Sequence, residues 1–196
     1  MNDDLNTTVE SRLLEKIKSL EEKVGLLSDQ VKEQKRDDAV CLVCFSGDWD
    51  KLFAAFTIAT GALSLGQEVH MFFTFWGISA LRSPESTGEK SPKNLVQKML
   101  GSMLADSPQT TPLSKLHFGG ISKILLGQLM KEKGVEGLDS LINQAHELGA
   151  KFYLCDTSAN LFGFGSQELK NGSELNTCGV ATFLSKALKS KVVLFI

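Results

Sequence analysis

Four short apolar runs without polar alternation constrain the fold of this chain more than any other feature. They cover residues 39–45, 68–75, 152–154 and 191–196, and helix-like segments separate them. A strand with no polar side must be buried on both faces, which is typical of a parallel sheet between two layers of helices. The pattern therefore predicts a three-layer α/β/α domain with a mostly parallel sheet.

The segments between these runs carry apolar residues at helical spacing. This spacing predicts helices over residues 48–65, 138–148 and 180–188. Residues 173–175 are a further candidate, for a short edge strand. Strands and helices thus alternate through much of residues 38–196, which we interpret as one domain.

The stretch from residue 81 to residue 136 interrupts this alternation. It contains all four prolines of the chain, at positions 84, 92, 108 and 112, and two short helical patterns at residues 95–104 and 121–131. A long irregular insertion after the carboxyl end of a strand is usually a lid, a binding loop or a disordered segment. We interpret this one as an insertion that oligomerisation partly orders.

Residues 1–37 form a separate segment, a predicted helix followed by a charged linker. Six apolar residues recur there at steps of four and three, the spacing of a heptad seam: Leu13, Ile17, Leu20, Val24, Leu27 and Val31. A helix with such a stripe is not stable alone and must pack against something. It either packs on its own domain or mediates self-association as a coiled coil, and the charged linker favours self-association.

The composition narrows the classes of function. Lys and Arg number 21 against 23 Asp and Glu, for a net charge of -2, so nothing indicates a nucleic-acid-binding surface. The longest apolar run, residues 69–78, is too short to span a bilayer, and the polar N-terminus predicts no signal peptide. Four cysteines in 196 residues do not make a disulfide framework, so we expect reduced thiols in a cytoplasmic protein.

Cys155 is the side chain best suited to covalent chemistry. It follows the apolar run 152–154 and precedes the segment 156–158, whose residue types cap helix N-termini. It should therefore lie where a strand ends and a helix begins, and there unpaired backbone N–H groups and the helix dipole stabilise a thiolate. The thiolate is the reactive form of cysteine. The alternative is a small buried residue that closes the strand.

Ligands of parallel sheets bind outside the carboxyl ends of the strands, so the residues after each strand are candidates for a pocket. The segment 46–48 makes a tight turn into a helix, and Trp76 before Gly77 offers a flat wall. Asp48 could instead be a simple N-cap, and Trp76 could be structural. The candidate pocket residues are Ser46, Gly47, Asp48, Phe75, Trp76, Gly77, Asp156, Thr157 and Ser158.

The other cysteines and the histidines form weaker patterns. Cys41 and Cys44 have the spacing of redox pairs but lie within a predicted strand, where residues three apart point to opposite faces. Cys178, before Gly179 and a helix, is a second candidate thiol. The histidines at positions 70, 117 and 146 show no metal-ligand spacing to any cysteine, so we expect neither a metal nor a cofactor.

Four segments of the chain, in this order, resemble the DsrE/DsrF/DsrH-like family, in the branch known as peroxiredoxin-like or sulfur-relay proteins. They are residues 46–51 with the helix that follows, residues 69–77, the Cys155 segment with residues 161–163, and residues 179–184. The resemblance covers roughly residues 38–196. It implies a five-stranded parallel sheet, assembly into oligomers, and one cysteine that carries sulfur as a persulfide or thiosulfonate. Only Cys155 matches the position of that cysteine. The sequence differs from many relatives in two features, the pair Cys41 and Cys44 and the insertion.

The residues and the resemblance together favour a sulfur carrier or sulfurtransferase-like protein. Cys155 would take sulfur from a donor, hold it as a persulfide and pass it to the thiol of a partner protein. Two alternatives stay open: a non-catalytic oligomeric assembly protein, and a protein of the same fold that binds a small ligand without a covalent step. A resolving cysteine for a peroxidase is not identifiable from the sequence.

Overall fold

Two compact units, Met1–Arg36 and Asp37–Ile196, make up the structure, which is a computed structural model. The boundary between them falls within the charged linker. The described residues are 2–33, 37–82, 95, 97, 99, 104, 105, 107–114, 121–164, 169 and 175–196, without the side chains of residues 2–11, 30–33, 109 and 121–124.

The first unit is built on helix α1 (Asn2–Glu33), which confirms the helix predicted from the heptad spacing. The seam side chains that the structure describes are each more than half exposed: Leu13, Ile17, Leu20, Val24 and Leu27. An exposed apolar stripe of this length is unfavourable in water, so covering it would stabilise the helix. No helix in the described part of the chain, α1 included, is both long and apolar enough to cross a membrane.

The second unit alternates strands and helices as predicted. Its elements, in chain order, are β1 (Asp37–Cys44), α2 (Trp49–Ser64), β2 (Glu68–Phe73), the 3₁₀ helix η1 (Phe75–Leu81), the 3₁₀ turn η2 (Pro108–Thr110), α3 (Ile121–Glu132), α4 (Leu138–Glu147), β3 (Lys151–Cys155), α5 (Asp156–Phe162), β4 (Asn176–Cys178), α6 (Val180–Ala187) and β5 (Ser190–Phe195).

These strands form one parallel sheet in the order β4-β3-β2-β1-β5. Each of β2, β3 and β4 is added beyond the strand before it, and β5 returns to the opposite side of β1. The register sets Cys41 of β1 beside His70 of β2 and beside Val193 of β5. The parallel sheet and its helices confirm the predicted three-layer α/β/α fold with an additional N-terminal helix.

Side chains alternate between the two faces of the sheet, because successive strand residues point in opposite directions. On one face, Leu42 and Met71 belong to the larger core cluster, together with residues of α2 and α4. On the other face, Cys41 and Phe72 pack against Phe183 of α6. We call these the α2 face and the α6 face. Burial on both faces explains why the apolar runs of β1, β2 and β3 lack polar alternation. The run at residues 191–196 differs, because it forms the edge strand β5, in which Val193 and Phe195 are at least half exposed.

The strand β2 ends at Phe73, two residues before the apolar run ends. Phe75 has a φ of 45°, a left-handed conformation that a bulky residue rarely adopts, and η1 begins at this residue. The end of the apolar run therefore belongs to a 3₁₀ helix at the strand ends and not to the strand itself. The prediction of a strand through Phe75 was wrong by these two residues.

The edge strand and the insertion differ in part from the prediction. An edge strand lies at Asn176–Cys178, directly after the predicted residues 173–175; of these, 173 and 174 lie outside the described residues, and Leu175 is not in a strand. Helix α3 confirms the helical pattern at residues 121–131. The pattern at residues 95–104 lies mostly outside the described residues, as do Pro84 and Pro92.

Candidate active site

Cys155 lies at a junction between a strand and a helix. It is the last residue of β3 and occupies the N-cap position of α5, which begins at Asp156. Its side chain belongs to the small core cluster on the α6 face, and the residue is 7% exposed. Helix α5 has only seven residues and ends at Gly163, whose φ of 69° suits glycine. The chain therefore places this sulfur just beneath the surface, at the carboxyl edge of the sheet.

Hydrogen-bond donors surround the Cys155 sulfur. Burial opposes its ionisation, but the hydroxyl and N–H of Ser158, the hydroxyl of Thr74 and the N–H of Thr157 outweigh that effect, so the pKa of Cys155 lies below that of an ordinary thiol. The two N–H groups belong to the first turn of α5, where backbone donors have no partner within the helix. The arrangement favours a thiolate, the nucleophilic form of cysteine.

The hydroxyl of Thr74 reaches the site from a neighbouring strand. Thr74 directly follows β2, and its Oγ1 lies 2.9 Å from the Oγ of Ser158. Its backbone N–H donates to the Cys44 carbonyl (3.1 Å), which fixes it against the end of β1. Thr74 is not among the candidate pocket residues predicted above, although a polar residue at the end of an apolar run is a usable signal.

A cavity of about 400 Å³ lies at the carboxyl end of β1. The described part of the insertion helps to form it, because the Pro112 carbonyl accepts a hydrogen bond from the N–H of Trp49 at the start of α2 (2.7 Å). The cavity is lined by Phe45, Ser46, Gly47, Asp48, Lys51, Trp76, Ser79, Leu104, Ala105 and Pro112.

Asp48 occupies the N-cap position of α2 but makes no capping hydrogen bond with its side chain, so the N-cap interpretation is wrong in that respect. Its carboxylate instead accepts a hydrogen bond from the Ser46 hydroxyl (2.9 Å) and pairs with the Lys51 ammonium (2.7 Å). The side chains of these three residues form a connected polar group on one wall of the cavity.

Gly47 and Gly77 allow two backbone segments to approach each other. A Cβ on Gly47 would lie 2.6 Å from the Trp76 carbonyl oxygen, and a Cβ on Gly77 would overlap the Cys44 carbonyl. The N–H of Gly77 donates to the Phe45 carbonyl (2.9 Å). Helix η1 therefore lies directly on the end of β1, and neither glycine can carry a side chain without displacing its neighbour.

The structure places the predicted pocket residues around the cavity, on η1 and in the first turn of α5. The cavity is lined by four of them: Ser46, Gly47, Asp48 and Trp76. Phe75 and Gly77 lie on η1 beside Trp76 and do not line it. Cys155 and the three residues after it lie in the first turn of α5, also outside the lining. Helix η1 connects the cavity with α5, because the ring centroid of Trp76, which lines the cavity, lies 5.5 Å from that of Phe162 in α5.

Cys41 and Cys44 are free, buried thiols on opposite faces of β1, as the alternation of the strand predicted. Burial raises the pKa of Cys44 to about 12. Burial also raises the pKa of Cys41, whose sulfur lies 3.1 Å from the Ser190 hydroxyl. Raised pKa values favour the protonated, less nucleophilic form of both thiols at neutral pH.

We expect alkylation of the native protein at neutral pH to modify Cys155 first and to leave Cys41 and Cys44 unmodified until the protein is denatured. The reason is that both residues are at most 1% exposed and have raised pKa values. Peptide mass spectrometry of samples labelled before and after denaturation measures this. Rapid native labelling of either residue would contradict the buried placement.

Replacing Ser158 with alanine is expected to raise the pKa of Cys155, because one hydroxyl donor to the thiolate is lost. The pH dependence of the alkylation rate of Cys155 measures the change, with the midpoint moving to higher pH. Ser185→Ala on α6, which removes a hydroxyl that donates to the Thr182 carbonyl (2.7 Å), is the matched control. An unchanged midpoint in Ser158→Ala would show that this hydroxyl does not stabilise the thiolate.

The fold and the site together define an α/β protein with one hydrogen-bonded, acidified thiol at the carboxyl edge of a parallel sheet. The sequence profile of the DsrE/DsrF/DrsH-like family matches residues 36–195, and the chain belongs to this family. Two relatives are similar over most of their length. An uncharacterized protein of Bacillus subtilis (strain 168), YrkE, is 38% identical over 155 residues, which cover 79% of this chain and 94% of the relative. The sulfur carrier protein DsrE2 of Allochromatium vinosum is 29% identical over 171 residues, 84% of this chain and 99% of the relative.

Proposed function

We propose that the protein is a sulfur carrier that holds sulfur on Cys155 as a persulfide. The observation that carries the proposal is the set of donors around the Cys155 sulfur, which favours the thiolate although the residue is buried. A thiolate is the species that attacks sulfur. Membership of the family and the similarity to a protein named as a sulfur carrier support the same class of function.

The loading step exchanges one sulfur–sulfur bond for another. The Cys155 thiolate attacks the outer sulfur of a donor persulfide, R–S–SH, to give Cys155–S–SH and the donor thiolate R–S⁻. One S–S bond forms, one breaks, and no external oxidant is consumed. Unloading is the same exchange in the other direction, with the thiolate of an acceptor as the attacking group.

The donors around Cys155 also suit the loaded state. A persulfide ionises to Cys155–S–S⁻, and the hydroxyls of Thr74 and Ser158, which lie 2.9 Å apart, can hydrogen-bond to this anion. Thiols must stay reduced for the exchange, which suits the reducing cytoplasm. The expected partners are a thiol-bearing sulfur donor or acceptor protein and further copies of this chain. The exchange requires neither a metal nor a cofactor.

The experiment that tests the proposal is sulfur loading followed by mass spectrometry. The reduced protein is incubated with polysulfide or thiosulfate, freed of the excess donor, blocked at once with an alkylating reagent and digested without reductant. We expect the peptide that contains Cys155 to gain the mass of one or more sulfur atoms. If Cys155 gained no sulfur from either donor, the proposal would be contradicted.

A second candidate function is the binding of a small ligand without a covalent step. The observation that favours it is the cavity of about 400 Å³, whose lining includes the polar group of Asp48 and Lys51 but not Cys155. Under this reading the protein takes up no sulfur, so the loading experiment separates the two functions.

Deletion of residues 1–36 is expected to make the oligomer smaller or weaker and to leave sulfur loading of Cys155 unchanged. Burying each apolar seam residue of α1 against a neighbouring copy would contribute about 1.5–3 kcal/mol, which exceeds the cost of association when several residues are buried together. Light scattering across a dilution series measures the number of subunits per particle.

Two single substitutions sharpen this test. Leu20→Glu places a charge on the seam and should reproduce the effect of the deletion, whereas Ser19→Glu places it beside the seam and should have little effect. If the number of subunits stayed the same at every concentration in the deletion variant, α1 would not mediate self-association.

A further inference from the structure

Cys178 lies directly beside Cys155 in the sheet. The register between β3 and β4 pairs Tyr153 with Asn176, Leu154 with Thr177, and Cys155 with Cys178. Because partners in a parallel ladder project to the same face, both thiols lie on the α6 face. Cys178 also packs against the core cluster that contains Cys155.

The spacing between the two residues suits a disulfide. Neighbouring strands lie about 4.8 Å apart, and disulfides join Cα atoms that are about 4.4–6.8 Å apart. Strand β4 has three residues and lies at the edge of the sheet, so it can adjust to bring the sulfurs together. The turns that follow the two strands are also close, because a Cβ on Gly179 would lie 3.8 Å from the Asp156 carboxylate.

The other two cysteines are not placed to take this role. Cys44 points to the α2 face and is 1% exposed. Cys41 shares the α6 face but is fully buried, and its neighbours in the ladder are residues of β2 and β5. Cys178 is both adjacent to Cys155 and partly exposed.

We propose that Cys178 discharges the persulfide on Cys155 when no acceptor takes its sulfur. The Cys178 sulfur attacks the inner sulfur of the persulfide, and the reaction is Cys155–S–S⁻ + Cys178–SH → Cys155–S–S–Cys178 + HS⁻. The bond between the two cysteines forms, the bond to the outer sulfur breaks, and the thiol proton leaves on hydrosulfide. In this step the Cys178 sulfur is oxidised and the outer sulfur is reduced to hydrosulfide, while the oxidation state of the Cys155 sulfur does not change, so no further oxidant is needed.

The pKa values of the two thiols differ, and this difference makes discharge by Cys178 slower than transfer of the sulfur to an acceptor thiol. Burial, the Asp156 carboxylate and the neighbouring Cys155 raise the pKa of Cys178, whereas the pKa of Cys155 is lowered. Cys155 is therefore the thiol that loads, and Cys178 stays largely protonated beside it. A thiol acceptor has time to remove the sulfur before the disulfide forms, after which the carrier must be reduced before it can load again.

This inference depends on the proposed loading of Cys155, and the test separates the two. Reduced wild-type protein is loaded with polysulfide, freed of the excess donor, kept without oxygen or acceptor, blocked with an alkylating reagent and digested with trypsin. Cleavage after Lys151, Lys170 and Lys186 puts Cys155 and Cys178 on separate peptides. We expect these peptides to become disulfide-linked, with one hydrosulfide released for each link.

The lifetime of the persulfide in single-residue variants provides a second test. In Cys178→Ser the persulfide should remain on Cys155 with a lifetime about tenfold longer, because the attacking sulfur is absent. Cys41→Ser, which removes the other thiol of this face, should behave as the wild type does. Circular dichroism checks that each variant is folded, and the wild-type peptide map needs no variant at all.

The possible outcomes are distinct. A loaded wild-type protein that forms no link between Cys155 and Cys178 would overturn the discharge reaction and leave sulfur carriage standing. Loss of sulfur from Cys178→Ser at the wild-type rate would do the same. If neither the wild-type protein nor the variants took up sulfur, both the sulfur-carrier function and the discharge reaction would be contradicted.

Discussion

Replacing Cys155 with serine is expected to abolish sulfur loading and to leave the fold intact. Serine has nearly the same volume, so the free energy of unfolding should change by no more than about 1 kcal/mol. The neighbouring donors remain in place, but the hydroxyl oxygen cannot form a persulfide and is not ionised at neutral pH. Among the thiols of this chain, Cys155 is the one whose pKa is lowered, so no other cysteine should replace it.

Intact-protein mass spectrometry after polysulfide treatment measures the loss, and thermal unfolding measures the stability. Cys41→Ser is the matched control, because it removes a thiol from the same face of the sheet without touching the donors around Cys155. If Cys155→Ser still took up sulfur to the wild-type extent, another cysteine would be the carrier.

Replacing Gly77 with alanine is expected to destabilise the protein by about 3 kcal/mol or more, because overlap with backbone cannot be relieved by rotating a side chain. The new Cβ would overlap the Cys44 carbonyl at the end of β1. Helix η1 would have to move away, and the hydrogen bond from the Gly77 N–H to the Phe45 carbonyl would be lost or lengthened. Urea unfolding followed by circular dichroism measures the change.

Gly61→Ala is the matched control for this substitution. Gly61 lies within α2, and a Cβ there would meet no atom within 4 Å. Alanine is the better helix former, so this variant should gain about 0.5–1 kcal/mol. Equal stability of Gly77→Ala and the wild type would mean that η1 does not lie on the end of β1 as described.

The α/β fold was predictable because each central strand is buried on both faces and therefore reads as a continuous apolar run. The position of Cys155 was predictable for a related reason, since the capping residue types after it indicate where the strand ends. The edge strand β4 was not predicted at residues 176–178 because these three residues are polar or small and form no apolar run. A strand of this kind is defined by its partner β3 and not by its own composition.

The separation of the cavity from Cys155 could not be predicted from the sequence. Both lie beyond the carboxyl ends of strands, and a general rule for parallel sheets assigns them to one edge without giving distances along that edge. Both places are in contact with η1, whose left-handed Phe75 and close backbone contact at Gly77 are properties of the folded chain. The Thr74 hydroxyl reaches Cys155 through the pairing of β2 with β3, a tertiary contact.

The strand order also has a consequence for how the chain folds. The central strand β1 pairs on one side with β5, whose residues lie about 150 positions away in the sequence. Closing so long a loop is entropically costly, and sheets built on distant pairings fold slowly. We expect β2, β3 and β4 to assemble on β1 first and β5 to dock late. Until then the free edge of β1 can pair with the same strand of another molecule, so dilution during refolding should favour the monomeric sheet over aggregates.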